Sequence, residues 1–232
     1  NMHGQPHIYH MKRDGSEIKK VTDYPAISYN NQGLGFSWSP NGEGFIYSSY
    51  DKLYRINRNG TGLWQVATAP EGMNFRQVDW NGYINKVIVQ ATTQNIYESE
   101  FYIMDPNGNN SQLFLEDWPG RTDSPSFSID GETVLFSWDE SGFNSVDGRM
   151  LDSRIYTIAR DHLDTTDLSV GKDAGTNDML PRFSPDGAWI IFVNQNNTGM
   201  GPKNVWVMDY EGGRRRLIIE DAETPFWGET NN

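Results

Sequence analysis

Short runs of β-branched and aromatic residues, separated by clusters of Gly, Asn, Asp and Pro, dominate the pattern of this chain. Four runs stand out: FIY at residues 45–47, VIV at 87–89, VLF at 134–136 and IIF at 190–192. Runs of this composition between turn-forming residues are typical of buried β-strands. Apolar periodicity of 3.6 residues is weak throughout, so the pattern predicts an all-β protein with few helices.

A second element recurs as an aliphatic or aromatic residue followed by an aromatic one. Its five copies are Ile8-Tyr9, Leu53-Tyr54, Phe101-Tyr102, Ile155-Tyr156 and Val205-Trp206. Each copy leads into a turn rich in Asp, Asn or Gly and then into a further short strand. Such turn residues tolerate positive φ and close tight hairpins. One repeat is therefore predicted to contain four antiparallel strands.

A turn motif precedes the buried runs. It reads FSWSPNG at residues 36–42, PSFSIDG at 125–131 and PRFSPDG at 181–187, with a weaker copy, VDWNG, at 78–82 and a shortened one, PFWG, at 225–228. Pro-Asp-Gly suits a tight hairpin, so we interpret these residues as structural. Equivalent positions lie about 42 to 56 residues apart, which is typical of a propeller blade.

In these repeats the sequence resembles the TolB-like (PD40, WD40-like) β-propeller repeat family. The resemblance is carried by PRFSPDG at 181–187, the strand at 190–192 and VWVMD at 205–209, and it covers most of the chain. It implies a β-propeller of four-stranded antiparallel blades. It also implies a periplasmic or cell-surface binding scaffold, because the TolB component of the Tol-Pal system binds protein partners through its propeller. The same repeat forms the non-catalytic propeller of prolyl-oligopeptidase-like peptidases and resembles that of oligogalacturonate lyases, so it does not specify a function.

Counting the second element predicts one domain, residues 1–232, with five blades. The chain starts inside one repeat and stops after the first strand of another, and rings are commonly closed by strands from both chain ends. Only residues 229–232 follow the last strand, so a closing blade would have three strands. The alternative is that the chain is a segment of a longer propeller.

Composition narrows the classes of partner. Lys and Arg number 19 against 31 Asp and Glu, a formal charge of -12, which disfavours nucleic acid and anionic lipid surfaces. No apolar run reaches the roughly 18 residues of a membrane span, so no membrane insertion is predicted. The first six residues lack the apolar stretch of a signal peptide. We expect a monomer.

Catalytic and cofactor motifs are missing from the sequence. There is no Gly-x-Ser-x-Gly elbow, no phosphate-binding glycine loop and no cysteine. His3, His7 and His10 are interpreted as surface residues, so neither a cofactor nor a metal site is predicted. Acidic stretches at 139–152 and 161–167 leave calcium binding open. The prediction is a non-enzymatic binding scaffold for a protein or glycan. The alternative is a polysaccharide-active enzyme, a lyase or glycosidase, with carboxylates on the channel face.

Loops that differ between repeats give the candidate site. In a propeller, the connections from second to third strands and those between blades emerge on one face, and two of them, 138–153 and 194–204, are long. Aromatic residues and Arg in such loops are enriched in recognition surfaces. The predicted ligand- or partner-binding residues are Tyr29, Arg76, Trp118, Arg121, Trp138, Phe143 and Asp178. For Trp118, a place in the core is the alternative.

Overall fold

The computed structural model describes residues 7–23, 35–95, 97–115, 118–139, 141, 150–161 and 164–228. In these residues the chain forms strands and turns that build five antiparallel sheets, and no helix. There is accordingly no helix in the described part of the chain that is long and apolar enough to cross a membrane. The predicted all-β architecture of five repeats is confirmed.

The strands follow the predicted repeats in chain order. Sheet 1 contains β1 (Tyr9–His10) and β2 (Lys19–Lys20), and sheet 2 contains β3 (Phe36–Trp38), β4 (Gly44–Ser49), β5 (Lys52–Asn57) and β6 (Trp64–Thr68). Sheet 3 contains β7 (Asn74–Asn81), β8 (Lys86–Thr92), β9 (Ser99–Met104) and β10 (Gln112–Leu115). Sheet 4 contains β11 (Arg121–Phe127), β12 (Thr133–Asp139), β13 (Ser153–Ala159) and β14 (Thr165–Asp167). Sheet 5 contains β15 (Thr176–Phe183), β16 (Trp189–Asn196), β17 (Lys203–Asp209) and β18 (Arg216–Ile219).

Each four-stranded sheet is a meander in which consecutive strands are neighbours. The four apolar runs lie on the second strand of each four-stranded sheet, and Ile46, Ile88 and Leu135 at the centres of three runs and Ile190 at the start of the fourth are fully buried. These strands have neighbours on both sides, which explains why their composition is apolar on both faces.

The turn motif is held together by its serine. The Ser184 hydroxyl donates a hydrogen bond to Asp186 Oδ1 (2.5 Å) and accepts one from the Trp189 N–H (2.9 Å). The same pair of hydrogen bonds joins Ser128 to Asp130 and Thr133. The motif therefore fixes the hairpin between first and second strands, which agrees with the structural interpretation.

The residue before the motif proline has an uncommon backbone conformation. Ser124, Leu180 and Thr224 have φ values of 56°, 53° and 54°, a region that costs an L-residue about 1–2 kcal/mol. Register shifts between Asp123 and Ser126 and between Met179 and Arg182 place the first two at bulges in β11 and β15. Thr224 repeats the conformation ahead of the shortened copy at 225–228.

Contacts divide the chain into two compact units, Asn1–Gln94 with Phe101–Phe114, and Asn95–Glu100 with Leu115–Asn232. In the first unit, sheets 2 and 3 share a core that includes Ile46, Leu53, Val87 and Val89. In the second unit, Leu135 and Ile155 of sheet 4 pack with Ile190, Phe192 and Met208 of sheet 5. That the chain is one domain and that its ring closes stay predictions.

Candidate binding site

The second unit carries a polar cleft of about 460 Å³ where three connections meet. Leu151 and Asp152 lie at the end of the connection from β12 to β13 with Arg154 at the start of β13, residues 172–175 join β14 to β15, and Asn197 follows β16. These are the two kinds of connection that the sequence predicts to share the binding face. The volume lies in the range of small-molecule and glycan sites.

Lys172 anchors the floor of this cleft. Its side chain is 3% exposed, and its ammonium donates hydrogen bonds to Asp152 Oδ1 (2.5 Å) and to the Thr176 carbonyl (2.5 Å). An ammonium group has three N–H donors, and two of them are used by these contacts within the described residues. Lys172 thereby ties the connection at 172–175 to the loop before β13.

Asn197 ties the third connection to the other two. Its Nδ2 donates to the Leu151 carbonyl (3.0 Å), and its backbone N–H donates to the Gly175 carbonyl (2.9 Å). The amide oxygen of Asn197 makes no hydrogen bond within the described residues, so it is available as an acceptor at the cleft.

The charges that line the cleft balance. Asp152 and Asp173 supply two carboxylates, and Arg154 and Lys172 supply two cations. Arg154 is itself held by Asp167, whose Oδ2 accepts from Nη2 (2.6 Å) and Nε (3.1 Å). Asp173 is exposed. In a chain of net charge -12, this cleft is locally neutral and suits an uncharged, hydrogen-bonding ligand.

Asp178, a predicted site residue, lies beneath this face and is fully buried. Its Oδ2 accepts hydrogen bonds from the Ser169 hydroxyl (2.6 Å) and Arg215 Nη2 (2.8 Å), and its Oδ1 accepts from Asn194 Nδ2 (2.8 Å). Because it accepts hydrogen bonds from these three donors, the carboxylate joins sheets 4 and 5. Its part in ligand binding stays a prediction.

Residues 214–216 form a run of three arginines, and Arg215 is the buried one among them. Its side chain is 12% exposed, and its guanidinium carbon lies 4.9 Å from the centre of the Phe192 ring. The ion pair with Asp178 explains why this cation is buried whereas Arg214, 78% exposed at its side chain, stays at the surface.

Asp139 closes the ends of the long connection at 138–153. The buried carboxylate accepts backbone hydrogen bonds from Ser141 (3.2 Å), Leu151 (3.2 Å) and Asp152 (3.1 Å). Asn177 adds a second tie, because it accepts from the Ser153 N–H and donates to the Met150 carbonyl, both at 2.8 Å. Buried side chains thus hold one wall of the cleft in place.

Trp118 and Trp138, both predicted site residues, are in contact. Their rings lie edge to face with centres 5.2 Å apart, and Trp138 Nε1 donates to the Pro119 carbonyl (2.5 Å). Trp118 also packs edge-on against buried Phe136 (6.0 Å), and its own Nε1 is buried without an acceptor in the described residues. Trp118 therefore has a packing role, and a ligand role would be additional.

Four predicted site residues remain. Arg121 is buried at the start of β11 and pairs with Asp123 (2.7 Å). Arg76 is buried in β7, in the first unit, where its carbonyl accepts from the Ser48 hydroxyl (2.7 Å). Tyr29 and Phe143 lie outside the described residues. Within the described residues, no three metal-ligating side chains of His, Cys, Asp or Glu lie together.

Sequence reasoning missed the residues that build the cleft: Asp152, Arg154, Lys172, Asp173 and Asn197. It chose the loops at 138–153 and 194–204, which contain Asp152 and Asn197, for their length, but it selected residues mainly for aromatic or Arg character, whereas the cleft is lined by other polar side chains. The available signal was the GKDAG connection at 171–175, which lies between blades and carries adjacent opposite charges.

The comparisons with known proteins rest on structure. No protein-family model and no curated protein matches the sequence. A putative TolB from Agrobacterium tumefaciens is similar with a TM-score of 0.73 and 18% identity, over 94% of this chain and 75% of that one. TolB from Acinetobacter baumannii is similar with a TM-score of 0.70 and 17% identity, over 91% of this chain and 48% of that one. An oligogalacturonate lyase in complex with manganese is similar with a TM-score of 0.64 and 15% identity, over 92% of this chain and 59% of that one.

These likenesses establish the fold. The chain is a TolB-like β-propeller in architecture, as its repeats predict. It spans about half the length of the Acinetobacter TolB chain and 59% of the lyase chain. Identities below a fifth do not carry the partners or the chemistry of these proteins over to this one.

Proposed function

We propose that this chain is a non-enzymatic binding scaffold that holds a protein or glycan partner on the cleft face of its second unit. The observation that carries the proposal is the cleft itself, which three connections form and which Lys172 and Asn197 brace. Propellers commonly bind at such connections because the sheets hold the loops rigidly.

The state of the carboxylates supports binding rather than catalysis. Buried Asp139 and Asp178 each accept three hydrogen bonds, and buried Asp123 pairs with Arg121. These carboxylates hold loops and strands in place, and none of the three lines the cleft.

Local neutrality favours a partner that presents hydroxyl or amide groups over a polyanion. Asp173 and the Asn197 amide oxygen offer acceptors, and Lys172 offers a donor. A neutral oligosaccharide or an uncharged protein loop meets this requirement. The proposed location, the periplasm or cell surface, rests on the resemblance to TolB-like repeats.

A glycan array and affinity capture from an envelope extract of the source test the proposal together. Asp173→Ala removes an exposed carboxylate that makes no side-chain hydrogen bond in the described residues. As a control, Glu211→Ala removes an exposed carboxylate in the turn between β17 and β18. Asp173→Ala should weaken binding of the retained partner by about 2 kcal/mol, as a lost charged hydrogen bond does, and Glu211→Ala should leave it unchanged. Equal effects of the two variants, or no partner in either screen, would reject the proposal.

The second candidate is a polysaccharide-active enzyme, favoured by the similarity to an oligogalacturonate lyase. In that case Asp152 and Asp173 are the lining carboxylates to test. Turnover of a polysaccharide panel that Asp173→Asn abolishes, with folding intact, would replace the binding proposal.

A further inference from the structure

The outer edge of sheet 5 is unusually apolar. Strand β18 is the last strand of that sheet, and its side chains Leu217, Ile218 and Ile219 are 40%, 45% and 53% exposed. Outer edges normally carry charges that prevent pairing with other chains. Here three consecutive apolar residues lie at the edge, which favours association.

The sequence of this edge is self-complementary. Residues 216–220 read RLIIE. If two copies pair antiparallel about Ile218, Arg216 of each lies opposite Glu220 of the other, and Leu217 lies opposite Ile219. Opposite charges and apolar side chains across a strand pair stabilise it, and like charges destabilise it. A parallel arrangement would place Arg216 against Arg216.

We propose that β18 is a homodimer interface, at which the β18 strands of two copies pair edge to edge about a two-fold axis at Ile218. Each copy presents the same surface, as a closed two-fold dimer requires. The proposal replaces the monomer expected from the sequence.

The charges that the pairing needs are available. Glu220 is exposed and makes no hydrogen bond or ion pair in the described residues. Arg216 lies with its guanidinium carbon 5.6 Å from the centre of the Trp189 ring and has no ion pair there. Its neighbours differ, because Arg214 contacts Asp209 and Arg215 contacts Asp178. Only Arg216 of the three lacks a carboxylate in the described residues.

The backbone at the centre of the edge is also available. Val205 pairs with Ile219 and Trp206 with Leu217, so Ile218 has no partner residue in β17. A bulge of this kind leaves the extra residue outside the ladder. A second strand at Ile218 would therefore disrupt no residue pair within sheet 5.

The absence of cysteine from the chain permits a register-specific test. Residues directly opposite in an antiparallel pair have Cα atoms about 4.5–5.5 Å apart, within the range of a disulfide. Under mild oxidation, Ile218→Cys should form a covalent dimer. Ile129→Cys, at a residue that is 58% exposed away from this edge, should remain monomeric. Equal cross-linking of the two variants would overturn the proposal.

Sedimentation equilibrium tests the charge pairing independently. The unmodified chain should show a concentration-dependent dimer, and Glu220→Arg, which sets Arg opposite Arg twice, should raise its dissociation constant at least tenfold. Arg216→Glu combined with Glu220→Arg should restore the dimer. A chain that stays monomeric at millimolar concentration, or a dimer that Glu220→Arg leaves intact, would contradict the proposal, and circular dichroism checks that each variant is folded.

Discussion

At the scale of single residues, buried polar side chains stabilise the second unit. Asp178 links Ser169, Asn194 and Arg215 through hydrogen bonds of 2.6 to 2.8 Å. Such a network is stabilising only when it is complete, because an unpaired buried charge is expensive. The packing of sheets 4 and 5 therefore depends on this carboxylate.

Replacing Asp178 should destabilise the chain sharply. Asp178→Ala leaves the Arg215 guanidinium without its counter-charge, and loss of one partner of a buried pair costs about 3 kcal/mol or more. Urea unfolding measures this loss, with Asp173→Ala as a surface control that should change stability by less than about 0.5 kcal/mol. A loss below about 1 kcal/mol for Asp178→Ala would show that the network is dispensable.

The turn aspartates make the stability of the fold depend on pH in the acidic range. Hydrogen bonds from the Ser184 hydroxyl and the Ala188 N–H lower the pKa of Asp186. A lowered folded-state pKa contributes stability above the unfolded pKa of about 4, and this contribution is lost as the pH falls through the folded value. Asp186→Asn should keep the turn, because Asn41 stands at the equivalent position and accepts from Ser39 (2.7 Å).

Asp186→Asn lacks this contribution, so it should be less stable than the unmodified chain at pH 7, and its stability should fall less as the pH drops below 4. Thermal unfolding at a series of pH values measures the difference. Superimposable acid profiles for the two chains would mean that Asp186 does not contribute.

Variants of Trp118 distinguish a packing role of this residue from a role in partner recognition. Its buried N–H has no acceptor in the described part of the chain, which costs about 1–3 kcal/mol, so Trp118→Phe should be neutral or stabilising in thermal unfolding. Trp118→Ala should destabilise, because it removes the contacts with Phe136 and Trp138. If Trp118→Ala keeps full stability but loses the partner, the residue acts in recognition alone.

At the scale of elements, each repeat has a recognisable order of strands and turns. The runs at 87–89 and 190–192 predict buried strands from local composition alone, and Ser184 with Asp186 predicts the hairpin. The cleft was not predictable in this way, because Lys172, Asp152 and Asn197 come from separate connections that meet only after sheets 4 and 5 pack. The burial of Arg215 was missed for the same reason, since its partner Asp178 lies 37 positions away.

The shortened motif at 225–228 also packs against a sheet of the repeat. Trp227 packs on Ile191, Val205 and Val207, and its Nε1 donates to the Arg182 carbonyl (3.2 Å). It therefore covers one face of sheet 5.

Trp227→Ala should uncover that face and lower the free energy of unfolding by about 3 kcal/mol. The neighbouring Phe226, 59% exposed, provides a matched control, because Phe226→Ala removes a largely exposed ring whose centre lies 6.0 Å from Arg182, and it should cost less than about 1 kcal/mol. Chemical denaturation compares the two variants, and equal losses would refute the covering role of Trp227.

At the scale of the whole molecule, an acidic chain presents a charge-balanced cleft on one face and an apolar edge at β18. The two features do not share residues, so binding of a partner and pairing of copies are separable. Partner binding at a neutral cleft should also depend weakly on salt, in contrast to binding driven by the net charge of -12.

Hydrogen–deuterium exchange with and without the partner retained in the array or capture experiment tests the central claim most directly. We expect slower exchange in residues 151–154, 172–175 and 195–198, with the turn at 210–213 unchanged. Protection confined to other parts of the chain, with these three connections unaffected by the bound partner, would contradict the assignment of the binding face.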